Sequence, residues 1–409
     1  MSITTVEPLL KNLRVLELGH YIAAPFATRT LADLGADVIK VEPPGTGDPV
    51  RSWGIQEEHG SLWWSIHGRN KRSVTVNLRD TKAPELVLKL ASKCDVVVEN
   101  YKPGQMEKWG LTPDAFAEAR PGIVIVRISG YGQTGPEAAR AGFGVIGEAQ
   151  GGLRHLCAHP PEMTDLPSVR MGVSIGDSIS GLYGALGALS AVISQRESGA
   201  KDARVVDVAL GESVLTMLEG ILPEYERYGM IRQPAGSRIP TASPTNAYKS
   251  KDDHWVLIAA NSDRLFAELA RLMGKPELAQ DSRFIDNPNR LENNAELDHM
   301  IGEWARATTA DEALAQLEQA NIPSSKIYTA ADIAADQHYR ARKMVTMVDD
   351  PLHGKVMHPG VVPMVDGLDR DEQIRWTGPS VGQHTNEVLT DLLNMNSDEL
   401  GALRESGII

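Results

Sequence analysis

Residues 13–18 form a short apolar run, Gly19 ends it, and residues 23–34 then carry apolar side chains at helical spacing. Gly35 stops that helix, and residues 36–41 are apolar again. A strand, a crossing helix and a second strand predict a parallel sheet. The texture recurs, with strands predicted over 73–77, 95–99, 123–128 and 203–209 and helices over 83–92 and 212–228. From 232 to 244 the chain turns polar and rich in Pro, Gly and Ser, which marks a boundary. Beyond it, a strand over 254–260 and helices over 263–273, 291–307 and 310–320 predict a smaller α+β unit. Residues 387–393 read as a last helix.

The stretch from Gly176 to Val192 departs from this pattern. Leu182, Leu186, Leu189 and Ile193 make an apolar helical stripe, beside a face of Gly181, Gly184, Ala185 and Ala188. Each glycine in a helix costs roughly 1 kcal/mol relative to alanine. Tolerating that cost suggests that a helix or a ligand lies close to the backbone. Asp177 and Ser178 are helix-start residues. A carboxylate at the positive end of a helix dipole, beside a close-approach surface, has the makings of a nucleophile. The bland alternative is a capping aspartate on a tightly packed helix.

With 409 residues, 42% apolar and 23% charged, the chain is long enough for two domains with a sizeable core. A net charge of −13 argues against non-specific nucleic-acid binding. It leaves room for an anionic ligand in a local basic pocket. Two cysteines, Cys94 and Cys157, are too few for a disulfide framework or a cysteine-rich metal site, and they suit a reducing compartment. Residues 1–11 show no signal-peptide pattern and no apolar run reaches membrane-spanning length, so a cytoplasmic protein is expected.

In open α/β sheets, ligands bind beyond the carboxyl ends of the strands. Asn100, Tyr101 and Lys102 follow one strand and His20, Tyr21 and Ile22 another. The basic run of Arg69, Lys71 and Arg72, with Arg79, has charge enough for a phosphorylated ligand; the alternative is a solvated basic loop. The turn after the first strand has one glycine, so the dinucleotide fingerprint is absent there. Residues 130–135 match G-x-G-x-x-G literally, but Pro136 follows at once. That match is the whole support for a nicotinamide dehydrogenase, and the stretch reads instead as a flexible loop beside a site.

Taken together, the motifs resemble the family III CoA-transferases, the CaiB/BaiF family. The resemblance rests on Leu34-Gly-Ala-Asp-Val-Ile-Lys-Val-Glu42, Asn70-Lys-Arg-Ser73, Asp95-Val-Val-Val-Glu-Asn-Tyr-Lys-Pro-Gly104, Ile128-Ser-Gly-Tyr-Gly-Gln-Thr-Gly-Pro136, Gly176-Asp177 and Gly382-Gln-His-Thr385, in order and nearly throughout the chain. It implies a Rossmann-like large domain (1–229), a small α+β domain (235–330) and a C-terminal segment (331–409) returning to the large domain. It also implies an interlocked homodimer with the site between the large domain of one chain and the small domain of the other. No metal and no tightly bound cofactor are implied; CoA thioesters are substrates.

By the same resemblance Asp177 is the catalytic carboxylate, forming first an acyl anhydride and then an aspartyl-CoA thioester. CoA contacts carry over to Tyr21, Ile22, Val76, Asn77, Leu78, Arg79, Asn100, Tyr101, Lys102, Lys108, Ala141, Gly142, Phe143 and Gly144. Pro43 stands where some members carry a CoA-binding arginine. Ile22 replaces the glutamine of formyl-CoA transferases, and their glycine run is missing near 237–244. Racemases of the family use a histidine where this chain has Gly142-Phe-Gly144, so they lack support here. The texture is similar to enzymes that move CoA from succinyl-CoA to a dicarboxylate. His20, Arg29 and Arg238 are candidates for the distal carboxylate. A non-catalytic acyl-CoA-binding protein remains the other alternative.

Overall fold

The computed structural model describes residues 7–58 and 60–409. The chain divides into two compact units. The first combines residues 1–153, 171–221 and 337–409; the second combines 154–170 and 222–336. The boundaries differ from the expected ones, because residues 154–170 cluster with the smaller unit ahead of Asp177.

The larger unit is built on six parallel strands: β1 (Arg14–Glu17), β2 (Asp37–Glu42), β3 (Lys71–Thr75), β4 (Val96–Glu99), β5 (Val124–Ser129) and β6 (Arg204–Ala209). Their order is β3-β2-β1-β4-β5-β6. The chain reverses its winding between β1 and β4, and the loops after those two strands diverge there and leave a crevice.

Helices cover both faces. On one, α1 (Ala23–Asp33) and α4 (Ile175–Ser198) pack against Val15, Val96, Val124 and Val126. On the other, Leu16, Ile39, Val97 and Ile125 meet α2 (Ala83–Ala91) and α8 (Thr385–Leu393). A short helix, α3 (Gly144–Gln150), lies ahead of α4 in the chain. The predicted 212–228 helix is two pieces, Leu210–Leu215 and Ile221–Tyr228.

On α4 the expected close approach falls on the small-residue face, and the apolar stripe lies outside. Its small residues are the buried face: a Cβ on Gly181 would stand 2.8 Å from the Ala23 carbonyl oxygen, and one on Gly187 would stand 2.6 Å from Val206 Cγ1. Leu182, Leu186 and Ile193 are 50–60% exposed. The glycines let α1 and the sheet approach the helix backbone, which leaves the leucines outside.

The second unit has a three-stranded antiparallel sheet, in which β8 (Trp255–Ala259) is flanked by β7 (Thr245–Lys249) and β9 (Ser324–Lys326). Three helices, α5 (Asp263–Leu272), α6 (Asn294–Ala307) and α7 (Ala310–Gln319), close its own core around Val256, Ile258, Phe266 and Ile301.

Candidate active site

The loop after β1 is fixed from beneath by charge. Glu17 is fully buried, with Lys40 and Lys71 each 2.9 Å from its carboxylate and the Thr28 hydroxyl donating to it at 2.6 Å. The Lys40 ammonium uses all three donors, on Glu17, on the Gly19 carbonyl at 2.8 Å and on Asp48 at 2.7 Å. Although burial opposes the charge, Lys40 and Lys71 hold Glu17 below the usual carboxylate range. Lys40 and His20 do the same for Asp48. These are paired buried ions, which persist only because their partners are in place.

Above this layer the loop is clamped across the switch point. Asn100 accepts the His20 backbone N–H and donates to the His20 carbonyl, both at 2.8 Å. Gly19 leaves room for the clamp, since a Cβ there would stand 2.6 Å from Asn100 Oδ1. Tyr21 has φ +64°, uncommon for a residue with a side chain. Its N–H is held by Asp48 at 3.1 Å and its ring packs on Trp53. Strain of this kind persists where surrounding structure over-determines it, and such places cluster at functional sites.

Two cavities open around the clamp. One, about 290 Å³, is lined by Asp177 together with Tyr21, Asn100, Tyr101, Lys102, Ala141, Gly142 and Phe143. Ser129, Arg140 and Leu210, which sequence reasoning missed, complete part of its wall. The other is a groove of about 990 Å³, lined by Val76, Asn77, Leu78 and Arg79 and by residues 41–44, 46, 47 and 49. Gln105, Trp109 and Gly407 also line it and were not anticipated. His20, Tyr21, Tyr101 and Lys102 belong to both, so the same wall joins them.

Asp177 lies in the first turn of α4 rather than at its cap, which is Ser174. Its carboxylate rests on Gly144: a Cβ there would be 1.9 Å from Asp177 Oδ2. Gly144 thus acts by having no side chain. A Cβ on Gly176 would meet the Gly144 carbonyl oxygen at 2.9 Å and Glu148 Cγ at 3.2 Å, so the turn before Asp177 is equally close to α3.

The remaining expected residues lie elsewhere. Ile22 is buried with Val50 and Trp64 beneath the loop. Lys108, in the short helix Gln105–Lys108, lines neither cavity. Arg29 also lines neither; its guanidinium stacks on Phe26, and burial lowers its pKa to about 10. Arg238 belongs to the second unit and pairs with Asp298 at 2.7 Å. Within the basic run, Arg69 pairs with Asp33, Lys71 with Glu17 and Arg72 with Asp37. Arg79 alone of the four reaches the groove.

Among the described residues no helix is long and apolar enough to cross a membrane, and no cluster of three or more His, Cys, Asp or Glu could hold a metal ion.

This geometry has relatives. The profile of CoA-transferase family III matches residues 10–385. The chain is 43% identical over 401 residues to a succinyl-CoA–D-citramalate CoA-transferase of Chloroflexus aurantiacus, covering 98% of each. It is 32% identical to the human succinyl-CoA:glutarate CoA-transferase, over 100% of this chain and 91% of that one. Among solved structures, a CAIB/BAIF family protein from Brucella suis superposes with a TM-score of 0.82 at 32% identity, covering 95% of this chain and 100% of that one.

Proposed function

The chain belongs to CoA-transferase family III, and we propose that it moves CoA from succinyl-CoA to a dicarboxylic acid through a covalent intermediate on Asp177. The observation that carries this reading is the pair of joined cavities. The groove beside Val76–Arg79 suits the nucleotide end of CoA, and the smaller cavity holds a carboxylate at the other end of the wall. Asp177 attacks the thioester carbonyl, the C–S bond breaks, and an anhydride and a CoA thiolate result. The thiolate attacks the Asp177 carbonyl carbon of the anhydride, releasing succinate and leaving an aspartyl-CoA thioester. An acceptor carboxylate repeats the sequence in reverse. No net proton is transferred, so the site needs an ionised carboxylate, hydrogen-bond donors and limited access for water.

The dicarboxylate part rests on the relatives, whose names specify citramalate and glutarate. We place the enzyme in the cytoplasm, in keeping with its two free cysteines. We also read it as an interlocked homodimer, whose second copy would cover the exposed leucine stripe of α4. Light scattering at micromolar concentration tests the dimer; a monomer contradicts it.

The test of function is a mass-spectrometric assay with succinyl-CoA and an equimolar pool of mono- and dicarboxylic acids. New dicarboxylyl-CoA thioesters are expected. Thioesters of monocarboxylates alone would overturn the acceptor class, and none at all would overturn succinyl-CoA as donor.

A further inference from the structure

The wall shared by the two cavities contains a hydrogen bond that packing alone does not require. Tyr101 Oη lies 2.8 Å from His20 Nε2. The phenol ring is held edge-on by Trp109, with centroids 4.9 Å apart, and by His20, 5.3 Å apart. The Tyr101 backbone N–H is held by Glu99 at 2.6 Å. On the far side of the imidazole, Nδ1 faces Asp48 Oδ2 at 3.8 Å, and Asp48 is anchored on Lys40. Burial pushes the phenol pKa up, so the hydroxyl keeps its proton; Lys40 opposes this, while Glu99, Asp48 and Glu17 add to it.

Transfer through an aspartate makes a particular demand at this point. The thiolate expelled from the thioester must stay ionised until it attacks the anhydride. A free thiol of this kind has a pKa of about 8.5, so at neutral pH water would protonate most of it. With the nucleotide end of CoA in the long groove and Asp177 at the thioester, the sulfur would lie by the residues common to both cavities, His20, Tyr21, Tyr101 and Lys102.

We infer that the Tyr101 hydroxyl is the donor that holds the CoA sulfur as thiolate between the two attacks, and that His20, backed by Asp48 and Lys40, positions it. With both ring nitrogens protonated, His20 turns Nδ1–H toward Asp48 and donates Nε2–H to the phenolic oxygen, which leaves the phenolic hydrogen free to point at the sulfur. The O–H bond stays intact throughout, and sulfur carries the electron pair from the broken C–S bond. Tyr101 is then a catalytic residue and His20 a positioning residue. The charged side chains lining the Asp177 cavity are Lys102, Arg140 and Asp177. This inference rests on the transferase reading of the same site.

The test uses the full-length protein with free CoA, so it does not depend on the acceptor acid. The thiolate absorbs in the ultraviolet, and its ionisation on the protein can be followed against pH by difference spectra. Tyr101→Phe keeps the ring and its packing. Its bound-CoA titration midpoint is expected to lie about 1–2 pH units above that of the native protein. His20→Gln, which keeps a side-chain donor, should give a smaller shift in the same direction. In turnover, Tyr101→Phe should lose about 10- to 100-fold in kcat with KM for succinyl-CoA within threefold. An unchanged midpoint in Tyr101→Phe overturns the inference, as does a raised KM at native kcat. A native protein that titrates bound CoA early yet makes no new thioester would instead count against the transferase reading.

Discussion

Two parts of one active site are held in opposite ways. Under the loop after β1, four fully buried charged groups, Glu17, Lys40, Lys71 and Asp48, are tied to one another and to the loop backbone. Around Asp177 the close approaches are to glycine backbone: Gly144 beneath the carboxylate, Gly176 before it and Gly181 against α1. The first arrangement aims hydrogen-bond groups and depends on every partner being present. The second lets backbones touch beside the Asp177 carboxylate, and is sensitive to any side chain added there. A clamp that must not move gains from ions.

The largest effect is expected at Asp177. Asp177→Ala should lose CoA transfer by on the order of 10³-fold or more, with an unchanged circular dichroism spectrum. Gly144→Ala adds one methyl group where the Asp177 carboxylate lies. It should cost roughly 10²-fold in kcat with little change in thermal midpoint, because a displacement near 1 Å is enough. An alanine variant with native kcat would show that the contact does not set the geometry.

The ionic part should fail differently, through stability. Lys40→Met leaves Glu17 and Asp48 short of a cation and should destabilise the larger unit by about 3–5 kcal/mol in urea unfolding. It should also respond to acid. Burial, with Arg29 and Lys71 nearby, lowers the His67 pKa to about 3. Burial, with Arg69 nearby, lowers that of His358 to about 4. Both bind protons less readily folded than unfolded. Their contribution is therefore complete above the ordinary histidine value of about 6.5. It is lost as pH falls from there through the folded values. The urea midpoint should fall between pH 7 and pH 5, and His358→Gln should flatten part of that slope. The smallest effect belongs to the groove: Arg79→Ala should raise KM for the acyl-CoA by only about 3- to 10-fold, as a partly solvated phosphate contact would.

Much of the architecture was legible because it is local. Runs of buried β-branched residues marked the strands, and the loops after β1 and β4, which line the two cavities, could be singled out before their strands were paired. The small-residue face of α4 was legible as a close approach, but not which side of the helix is buried; that depends on α1 and on Val206, which only the folded chain brings near. The charged residues misled in a consistent way. Lys71 opens β3, ahead of the expected start of that strand at Ser73, because a lysine in a strand reads as exposed, whereas here Glu17 on β1 neutralises it. Arg69 and Arg72 likewise meet Asp33 and Asp37 across chain separations that spacing cannot reveal. Gly144 was placed among CoA contacts by resemblance, while its fit against Asp177 is a property of three-dimensional approach alone.

The proposed covalent intermediate on Asp177 can be sought directly. The native protein would be incubated with succinyl-CoA without acceptor, quenched, digested and searched by mass spectrometry for CoA on the peptide containing Asp177. A CoA adduct on Asp177 is expected, disappearing on adding a dicarboxylate acceptor and absent from Asp177→Ala. Transfer of CoA to an acceptor with no adduct on Asp177, or undiminished transfer by Asp177→Ala, would contradict it.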